Sequence, residues 1–120
     1  MKKVLVVDDS AAFSLMLQKA LLMRGEFQVD TAKNGQEALD QIKVEIPELI
    51  MLDIEMPVMG GIEFLEHIRK DETFKTIPVM IMTSNKSKDV IQKAVTLGIS
   101  DYILKPTNIQ VLYEKITKVI

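Results

Sequence analysis

The chain alternates five times between a short apolar run and a longer segment whose apolar residues recur every three to four positions. Continuous apolar runs of this length are typical of strands buried on both faces, and the longer spacing is typical of helices with one face in a core. The predicted strands occupy residues 4–7, 27–32, 49–52, 79–82 and 102–104. Strict alternation of strand and helix predicts an α/β fold, with a parallel sheet covered by helices on both faces.

The helical segments are separated from the strands by residues that end or interrupt helices. Their core-facing stripes lie within 13–21, 38–42, 62–68, 90–95 and 109–119. Gly25, Pro47 and Gly98 follow three of these stripes, at positions where a helix ends readily. No repeat, linker or low-complexity tract interrupts the pattern, and 120 residues is the size of one domain. We therefore expect a single domain over residues 1–120.

Composition excludes several kinds of site. The chain has no cysteine and one histidine, so disulfides, thiolate zinc sites and cysteine nucleophiles are excluded. His67 falls on the predicted outer side of the third helix, where a surface role is expected rather than a role as catalytic base or phosphorelay histidine. A net charge of −2 gives no basic face for nucleic acid or for an anionic membrane.

The amino-terminal segment does not have the form of a secretion signal. The apolar run after Lys3 is four residues long and ends in Asp8 and Asp9, whereas a signal needs about 7–15 apolar residues. No stretch approaches the roughly 18 apolar residues of a membrane span. We expect a cytoplasmic protein without a membrane or nucleic-acid partner.

Polar residues follow the buried strands at the point where each strand ends. Asp8 and Asp9 follow the first strand, Asp53 the third, Thr83 the fourth and Lys105 the fifth. The carboxyl ends of parallel strands lie along one edge of the sheet, where open α/β folds bind their ligands. The sequence therefore predicts one crevice that contains three carboxylates, a hydroxyl and an ammonium group.

Such a cluster has demanding electrostatics. Two carboxylates about 4 Å apart repel each other by about 4 kcal/mol at an effective dielectric constant of 20. Counter-charge from Lys105 and from a divalent cation would relieve this repulsion, and Mg²⁺ prefers oxygen ligands. With a cation in place, Asp53 could act as a nucleophile toward a phosphoryl group, while Thr83 and Lys105 contact the phosphoryl oxygens.

Four motifs together resemble the receiver domain of two-component response regulators. They are VLVVDDS at 4–10, LDIEMPVMGG at 52–61, MTS at 82–84 and KP at 105–106. The resemblance extends over the whole chain, and the motifs follow the order and spacing of the family. It implies a flavodoxin-like (βα)5 fold, doubly wound, with a parallel five-stranded sheet of order 2-1-3-4-5.

The resemblance also implies roles for individual acidic residues. Asp53 matches the phosphoacceptor. Asp9 matches a direct ligand of Mg²⁺, or of Mn²⁺ in its place, and Asp8 matches its partner, which usually acts through water. Glu55 lies where the family supplies a backbone carbonyl to the metal ion.

The remaining matches concern the phosphate and the switch. Thr83 matches the hydroxyl residue of the switch, and Lys105 matches the phosphate-binding lysine. The resemblance implies a cis peptide bond before Pro106. Tyr102 matches an aromatic residue that swings between outward and inward positions.

The expected switch follows from the charge that phosphorylation adds. A phosphoryl group brings about −1.5 to −2 charge and three acceptor oxygens. Thr83 and Lys105 would move toward Asp53 to contact these oxygens, and Tyr102 would fill the space behind Thr83. A downstream protein would then read the surface of the fourth helix, fifth strand and fifth helix. The resemblance implies a histidine kinase or phosphotransfer protein as donor, and a monomer or a phosphorylation-dependent homodimer.

Three positions depart from the usual family pattern. Gly60 stands where a small polar residue is more common, and two adjacent glycines are expected to loosen the loop. Glu55 and Asn85 border the path of the water that hydrolyses the acyl phosphate, so Glu55 is either a determinant of metal affinity and phosphate lifetime or a solvated loop charge. Thr107 replaces a common phenylalanine, which alters the rim of the partner surface.

Two other functions stay open at this point. Asp53-Ile54-Glu55 has a faint similarity to the paired acids of haloacid-dehalogenase-like phosphohydrolases, which need a second aspartate where this chain has glutamate. A phosphate-independent interaction module is the other alternative. The leading expectation is a stand-alone signalling switch and no metabolic enzyme, with self-catalysed phosphorylation and dephosphorylation only.

Overall fold

The computed structural model describes residues 1–105 and 107–120, and within them strands and helices alternate as predicted. The strands are β1 Lys2–Val7, β2 Phe27–Ala32, β3 Leu49–Leu52, β4 Val79–Thr83 and β5 Asp101–Leu104. The helices are α1 Ala11–Leu22, α2 Gly35–Val44, α3 Gly61–Lys70, α4 Lys88–Leu97 and α5 Ile109–Val119. All four strand pairs are parallel, and their order is β2-β1-β3-β4-β5. The predicted fold class and strand order are confirmed.

Successive residues of the central strands face two separate hydrophobic cores, because side chains alternate across a sheet. Val4 and Val6 of β1 pack with side chains of α1 and α5. Leu5 and Val7 pack with side chains of α2, α3 and α4. The sheet is therefore covered on both faces, and the described residues place two helices on one face and three on the other.

In the described part of the chain, four helices begin at a polar side chain that accepts a hydrogen bond from the backbone N–H three residues later. These capping residues are Ser10, Asn34, Ser87 and Asn108. Each cap of this kind contributes about 1 kcal/mol to helix stability. Since the helices follow the strands directly, their amino-terminal ends lie at the carboxyl edge of the sheet, beside the predicted site.

The loop between β3 and α3, which contains two adjacent glycines, makes backbone hydrogen bonds near both of its ends. Gly61 N–H donates to the carbonyl of Ile54 at 2.8 Å, and Gly35 N–H donates to the carbonyl of Met59 at 2.9 Å. Gly60 has φ −75° and ψ 172°, an ordinary extended conformation. Backbone hydrogen bonds therefore restrain the shape of the loop, and Gly60 makes no use of glycine's extra freedom. The looseness of the loop stays a prediction.

The surface carries the single histidine. His67 is exposed on α3, with Nε2 3.9 Å from a carboxylate oxygen of Glu63, in agreement with the predicted surface position.

Over the described ranges 1–105 and 107–120, no helix is both long and apolar enough to cross a membrane.

Candidate functional site

Three acidic side chains meet at the carboxyl edge of the sheet. Asp8 and Asp9 lie just after β1, and Asp53 lies just after β3. Each offers a carboxylate oxygen, and these oxygens lie within 4.8 Å of one another. Asp8 is 2% exposed and Asp53 is 8% exposed, while Asp9 is open to solvent. The structure thus brings together the three carboxylates whose proximity was expected from the strand ends.

The ammonium group of Lys105 lies against this acidic group. Its Nζ is 2.5 Å from Oδ2 of Asp8 and 3.7 Å from Oδ2 of Asp53. The backbone N–H of Lys105 donates to the carbonyl of Thr83 at 2.9 Å, which continues the β4–β5 pairing past the last residue of β5. One positive charge is therefore placed among three carboxylates, and the charge balance of the site stays negative.

The surroundings of Asp53 oppose its ionised form. Burial raises the pKa of the Asp53 carboxyl, and the charge of Asp8 raises it further. Lys105, the N–H of Ile54 and the Thr83 hydroxyl act in the opposite direction without reversing the shift. The Ile54 N–H donates to Oδ1 of Asp53 at 2.7 Å. Additional positive charge at this position would favour the carboxylate form.

The donor set fits a hard divalent cation. All three side chains offer oxygen, the atoms lie close enough to share one ion, and the site has too little positive charge of its own. Oxygen-only ligands of this kind suit Mg²⁺ and Mn²⁺. The side chain of Glu55 turns toward Asn85 instead, and a metal contact from the Glu55 carbonyl stays a prediction.

Thr83 is connected to Tyr102 through Asn85. Thr83 is 1% exposed, and its Oγ1 accepts from the backbone N–H of Asn85 at 3.1 Å. The Tyr102 hydroxyl donates to the backbone carbonyl of Asn85 at 2.9 Å. The Asn85 amide also donates to Oε1 of Glu55 at 2.9 Å. Asn85 therefore contacts the predicted switch pair and the loop after β3, a joining role that sequence reasoning had missed.

The Tyr102 side chain is partly buried against the core formed with α2, α3 and α4. Burial raises the pKa of its phenol, and the negative charges of Asp53 and Glu55 raise it further. The phenol therefore stays protonated at neutral pH and can donate to Asn85. The predicted swing of this ring concerns a second state, which stays a prediction.

Phe13 is a second residue that sequence reasoning did not place at the site. Its periodicity predicted a core position, and it does pack on the core between the sheet and α1 and α5. Its ring also lies under the ammonium of Lys105, with Nζ 4.3 Å from the ring centroid. Sequence spacing carries no signal for this contact, because the two residues come from opposite ends of the chain.

Two other expectations concern the segment after Lys105. Pro106 and its predicted cis bond lie outside the described residues. Thr107 is half-buried and lines a cavity of about 390 Å³ together with Phe13, Met16, Ser84 and Lys105.

The doubly wound sheet and its acidic edge together define the class of protein. It is an α/β protein with an oxygen-rich site at the carboxyl ends of its strands. The family model of the response regulator receiver domain matches residues 4–117. The chain belongs to this family, and the resemblance predicted from the motifs is confirmed. Receiver domains of this type are phosphorylation-activated signalling switches.

Relatives and solved structures agree with this assignment. The chain is 33% identical over 119 residues to the chemotaxis protein CheY1 of Helicobacter pylori, covering 98% of this chain and 96% of that protein. It is 42% identical over 108 residues to a protein-glutamate methylesterase/protein-glutamine glutaminase of Bacillus licheniformis, covering 89% of this chain but 30% of that protein. The structure of the chemotaxis response regulator CheY4 of Vibrio cholerae has a TM-score of 0.90 at 32% identity, covering 100% of this chain and 99% of that one.

Proposed function

We propose that Asp53 accepts a phosphoryl group from a phosphohistidine donor, supplied by a histidine kinase or a phosphotransfer protein. A carboxylate oxygen of Asp53 forms the new bond to phosphorus, the P–N bond breaks, and its electron pair leaves with the histidine nitrogen. The observation that carries this proposal is a group of three carboxylates whose oxygens lie within 4.8 Å of one another. The Lys105 ammonium lies 2.5 Å from one of them and 3.7 Å from another. The reaction is self-catalysed, and the chain is a switch rather than a metabolic enzyme.

Lys105 and Thr83 contact the phosphoryl oxygens. The Lys105 ammonium already lies 3.7 Å from an oxygen of Asp53, so a phosphoryl group on Asp53 comes within its reach. A positive charge placed there before reaction stabilises the charge that develops on the transferring group. Thr83 lies next to Asp53 and can donate its hydroxyl proton to a second phosphoryl oxygen.

Asp8, Asp9 and Asp53 would hold Mg²⁺, or Mn²⁺ in its place, together with the backbone carbonyl of Glu55. When bound, such an ion neutralises charge on the phosphoryl oxygens. The support for this part is the all-oxygen donor set and the excess of carboxylates over the one ammonium group at the site.

Movement of Thr83 toward the phosphoryl group would alter the position of Tyr102. The two residues share Asn85, which donates its N–H to Thr83 and accepts the Tyr102 hydroxyl proton. Tyr102 lies on β5, between α4 and α5 in the chain order. The α4-β5-α5 face would therefore report phosphorylation to a downstream protein or to a second copy of the chain.

Labelling with acetyl phosphate and Mg²⁺ tests the proposal. We expect one phosphoryl group per wild-type chain by intact-mass measurement and none on Asp53→Asn, with Asp71→Asn as a control at an exposed acid. Labelling that survives Asp53→Asn would overturn the site. Sustained turnover of p-nitrophenyl phosphate would instead favour a phosphohydrolase, and Mg²⁺ binding without labelling would favour a phosphate-independent interaction module. Size exclusion on the labelled samples measures whether phosphorylation produces a dimer.

A further inference from the structure

Besides the Asp53 carboxylate at 3.7 Å, the Lys105 ammonium has two close neighbours of different kinds. One is the Asp8 carboxylate at 2.5 Å, and the other is the face of the Phe13 ring, whose centroid is 4.3 Å away. A cation within about 6 Å of a ring centroid is attracted to the negative face of the ring, more strongly where water is excluded. The Lys105 side chain is 20% exposed, so the contact is largely shielded from solvent.

The ring and the carboxylate are held relative to each other by the first turn of α1. Oδ1 of Asp8 accepts from the Ser10 N–H at 2.9 Å, and the Ser10 hydroxyl accepts from the Phe13 N–H at 3.2 Å. Phe13 also packs against the core beneath α1. The ring position is therefore set by the helix start and the core, independently of Lys105.

The Asp8 carboxylate and the Phe13 ring differ in the other groups that compete for them. Both oxygens of Asp8 already have partners, and the same carboxylate belongs to the acidic group that is suited to a cation. A metal ion at Asp8 would compete with Lys105 for it. The ring carries no net charge and offers no oxygen, so a metal ion does not compete for it. Among the residues that the structure describes, those that line the cavity beside Lys105 and Phe13 are Met16, Ser84 and Thr107, and none of them has an aromatic face.

We propose that Phe13 is a positioning residue for Lys105. Its ring holds the ammonium beside Asp53 when the Asp8 carboxylate is engaged elsewhere, so that Lys105 is in place to meet the phosphoryl oxygens. This role rests on the proposed phosphoryl transfer to Asp53, and it adds a residue that acts through Lys105 and does not itself touch the phosphoryl group.

Replacement of the ring gives the first test. Phe13→Leu keeps an apolar side chain and removes the ring, and we expect the rate of labelling by acetyl phosphate to fall about threefold to tenfold, which is about 0.6–1.4 kcal/mol. Phe13→Tyr keeps an aromatic face and is expected to label within about twofold of wild type. Equal rates for Phe13→Leu and wild type would overturn the proposal.

A fluorine series separates attraction to the ring from simple packing. Phenylalanine carrying one, two or three ring fluorines keeps nearly the same shape and becomes more apolar, while the negative charge on its face weakens. At position 13 the labelling rate should fall stepwise with each fluorine. The same residues at Phe74, which is buried in the opposite core, should leave the rate unchanged. A packing role for Phe13 predicts no such stepwise fall.

A measurement on the metal-free protein tests the contact without any reaction. With lysine labelled with ¹³C at Cε, the Cε protons of Lys105 should resonate upfield of the other lysines, because they lie over a ring. Phe13→Leu should remove this displacement, and Lys105→Arg identifies the resonance. A Lys105 resonance that is not displaced would overturn the proposal.

The two hypotheses fail in different ways. Failure of the wild type to label would overturn the proposed phosphoryl transfer, and with it this role of Phe13. Normal labelling of the wild type with a flat fluorine series would overturn the role of Phe13 alone.

Discussion

Gly61 lies directly against the backbone of Asp53. A Cβ at Gly61 would be 2.1 Å from the carbonyl oxygen of Asp53, a distance that side chains do not adopt. Gly61 is the first residue of α3, and its N–H donates to the carbonyl of Ile54. The start of α3 is therefore packed against the peptide that carries the proposed phosphoacceptor, and the absence of a side chain at Gly61 lets the two approach.

Gly61→Ala and Gly60→Ala form a matched pair at this point. Gly61→Ala should lower the free energy of unfolding by about 3 kcal/mol or more, because overpacking against a backbone atom cannot be relieved by a rotamer change. Gly60→Ala should cost less than about 1 kcal/mol, since its Cβ would lie 3.2 Å from the Ile54 carbonyl and its φ is −75°. Urea denaturation measures both. Similar losses for the two variants would contradict the close packing at Gly61.

Addition of Mg²⁺ should stabilise the folded protein. A ligand that binds only the native state adds about 2.7 kcal/mol when present at 100 times its dissociation constant. Asp9→Asn should remove most of this gain and still fold, because Asp9 is exposed. Asp40→Asn, at an exposed acid on α2, is the control. Thermal unfolding with Mg²⁺ and with a chelator measures the shift, and an equal shift in Asp9→Asn would place the ion elsewhere.

Substitutions of Tyr102 separate its hydroxyl from its ring. Tyr102→Phe removes the hydrogen bond to the Asn85 carbonyl and should cost about 1 kcal/mol of stability. Tyr102→Ala removes the ring as well, and should abolish the phosphorylation-dependent changes in amide chemical shift along α4 without preventing labelling of Asp53. Tyr113→Phe, on α5, is the control. If those chemical-shift changes persist in Tyr102→Ala, the ring has no part in the switch.

Arg69 joins the end of α3 to two neighbouring segments. Its guanidinium donates to the carbonyl of Gly98 at 2.8 and 3.1 Å and to the carbonyls of Lys75 and Ile77 at 3.1 and 3.0 Å. Arg69→Lys should lower stability by about 1–3 kcal/mol, because one ammonium cannot reproduce the planar fork. Lys70→Ala, at an exposed neighbour, should change stability by less than about 0.5 kcal/mol. Urea midpoints compare the two, and equal midpoints would mean that the fork contributes little.

The ion pair between Asp101 and Lys115 should make the free energy of unfolding depend on pH in the acidic range. Burial would raise the pKa of Asp101, but hydrogen bonds from the Lys115 ammonium and the Tyr102 N–H outweigh it and lower this pKa below 3.8. A lowered folded-state pKa stabilises the protein above the unfolded value, and this stabilisation is lost as the pH falls through the folded pKa. The effect should be below about 1 kcal/mol, since both side chains are about a third exposed.

Urea midpoints at pH 7 and at pH 3 measure that dependence. Asp101→Asn should lose less stability between the two pH values than wild type does, and Asp40→Asn serves as the matched control. An Asp101→Asn protein with the acid dependence of wild type would show that the pair contributes nothing measurable.

The apolar pattern was sufficient for the elements and for the acidic edge. Residues 49–52 and 79–82 form buried strands because an apolar run of that length has no polar face to expose. Asp8 and Asp53 then meet because parallel strands end at the same edge. Strand order was not contained in periodicity, and its prediction depended on the motif resemblance.

The apolar pattern did not predict the contacts that individual side chains make across the fold. Phe13 has the spacing of a core residue and is partly buried against the core, yet one face of its ring lies under Lys105. The two glycines at 60–61 predicted a loose loop, but the sequence carried no signal that a side chain at Gly61 would collide with the Asp53 carbonyl. The motif comparison placed Asn85 beside Glu55, and it gave no indication of the hydrogen bond between Asn85 and Tyr102.

The sequence by itself therefore determined which residues are strand, helix and strand end, because local periodicity and chain direction are enough for those. Only the tertiary structure decided which neighbours each polar group has: Asp8 for Lys105, Asn85 for Tyr102, and the Phe13 ring beneath the ammonium. These contacts depend on the position of each helix on its face of the sheet, and the packing of the whole core determines that position.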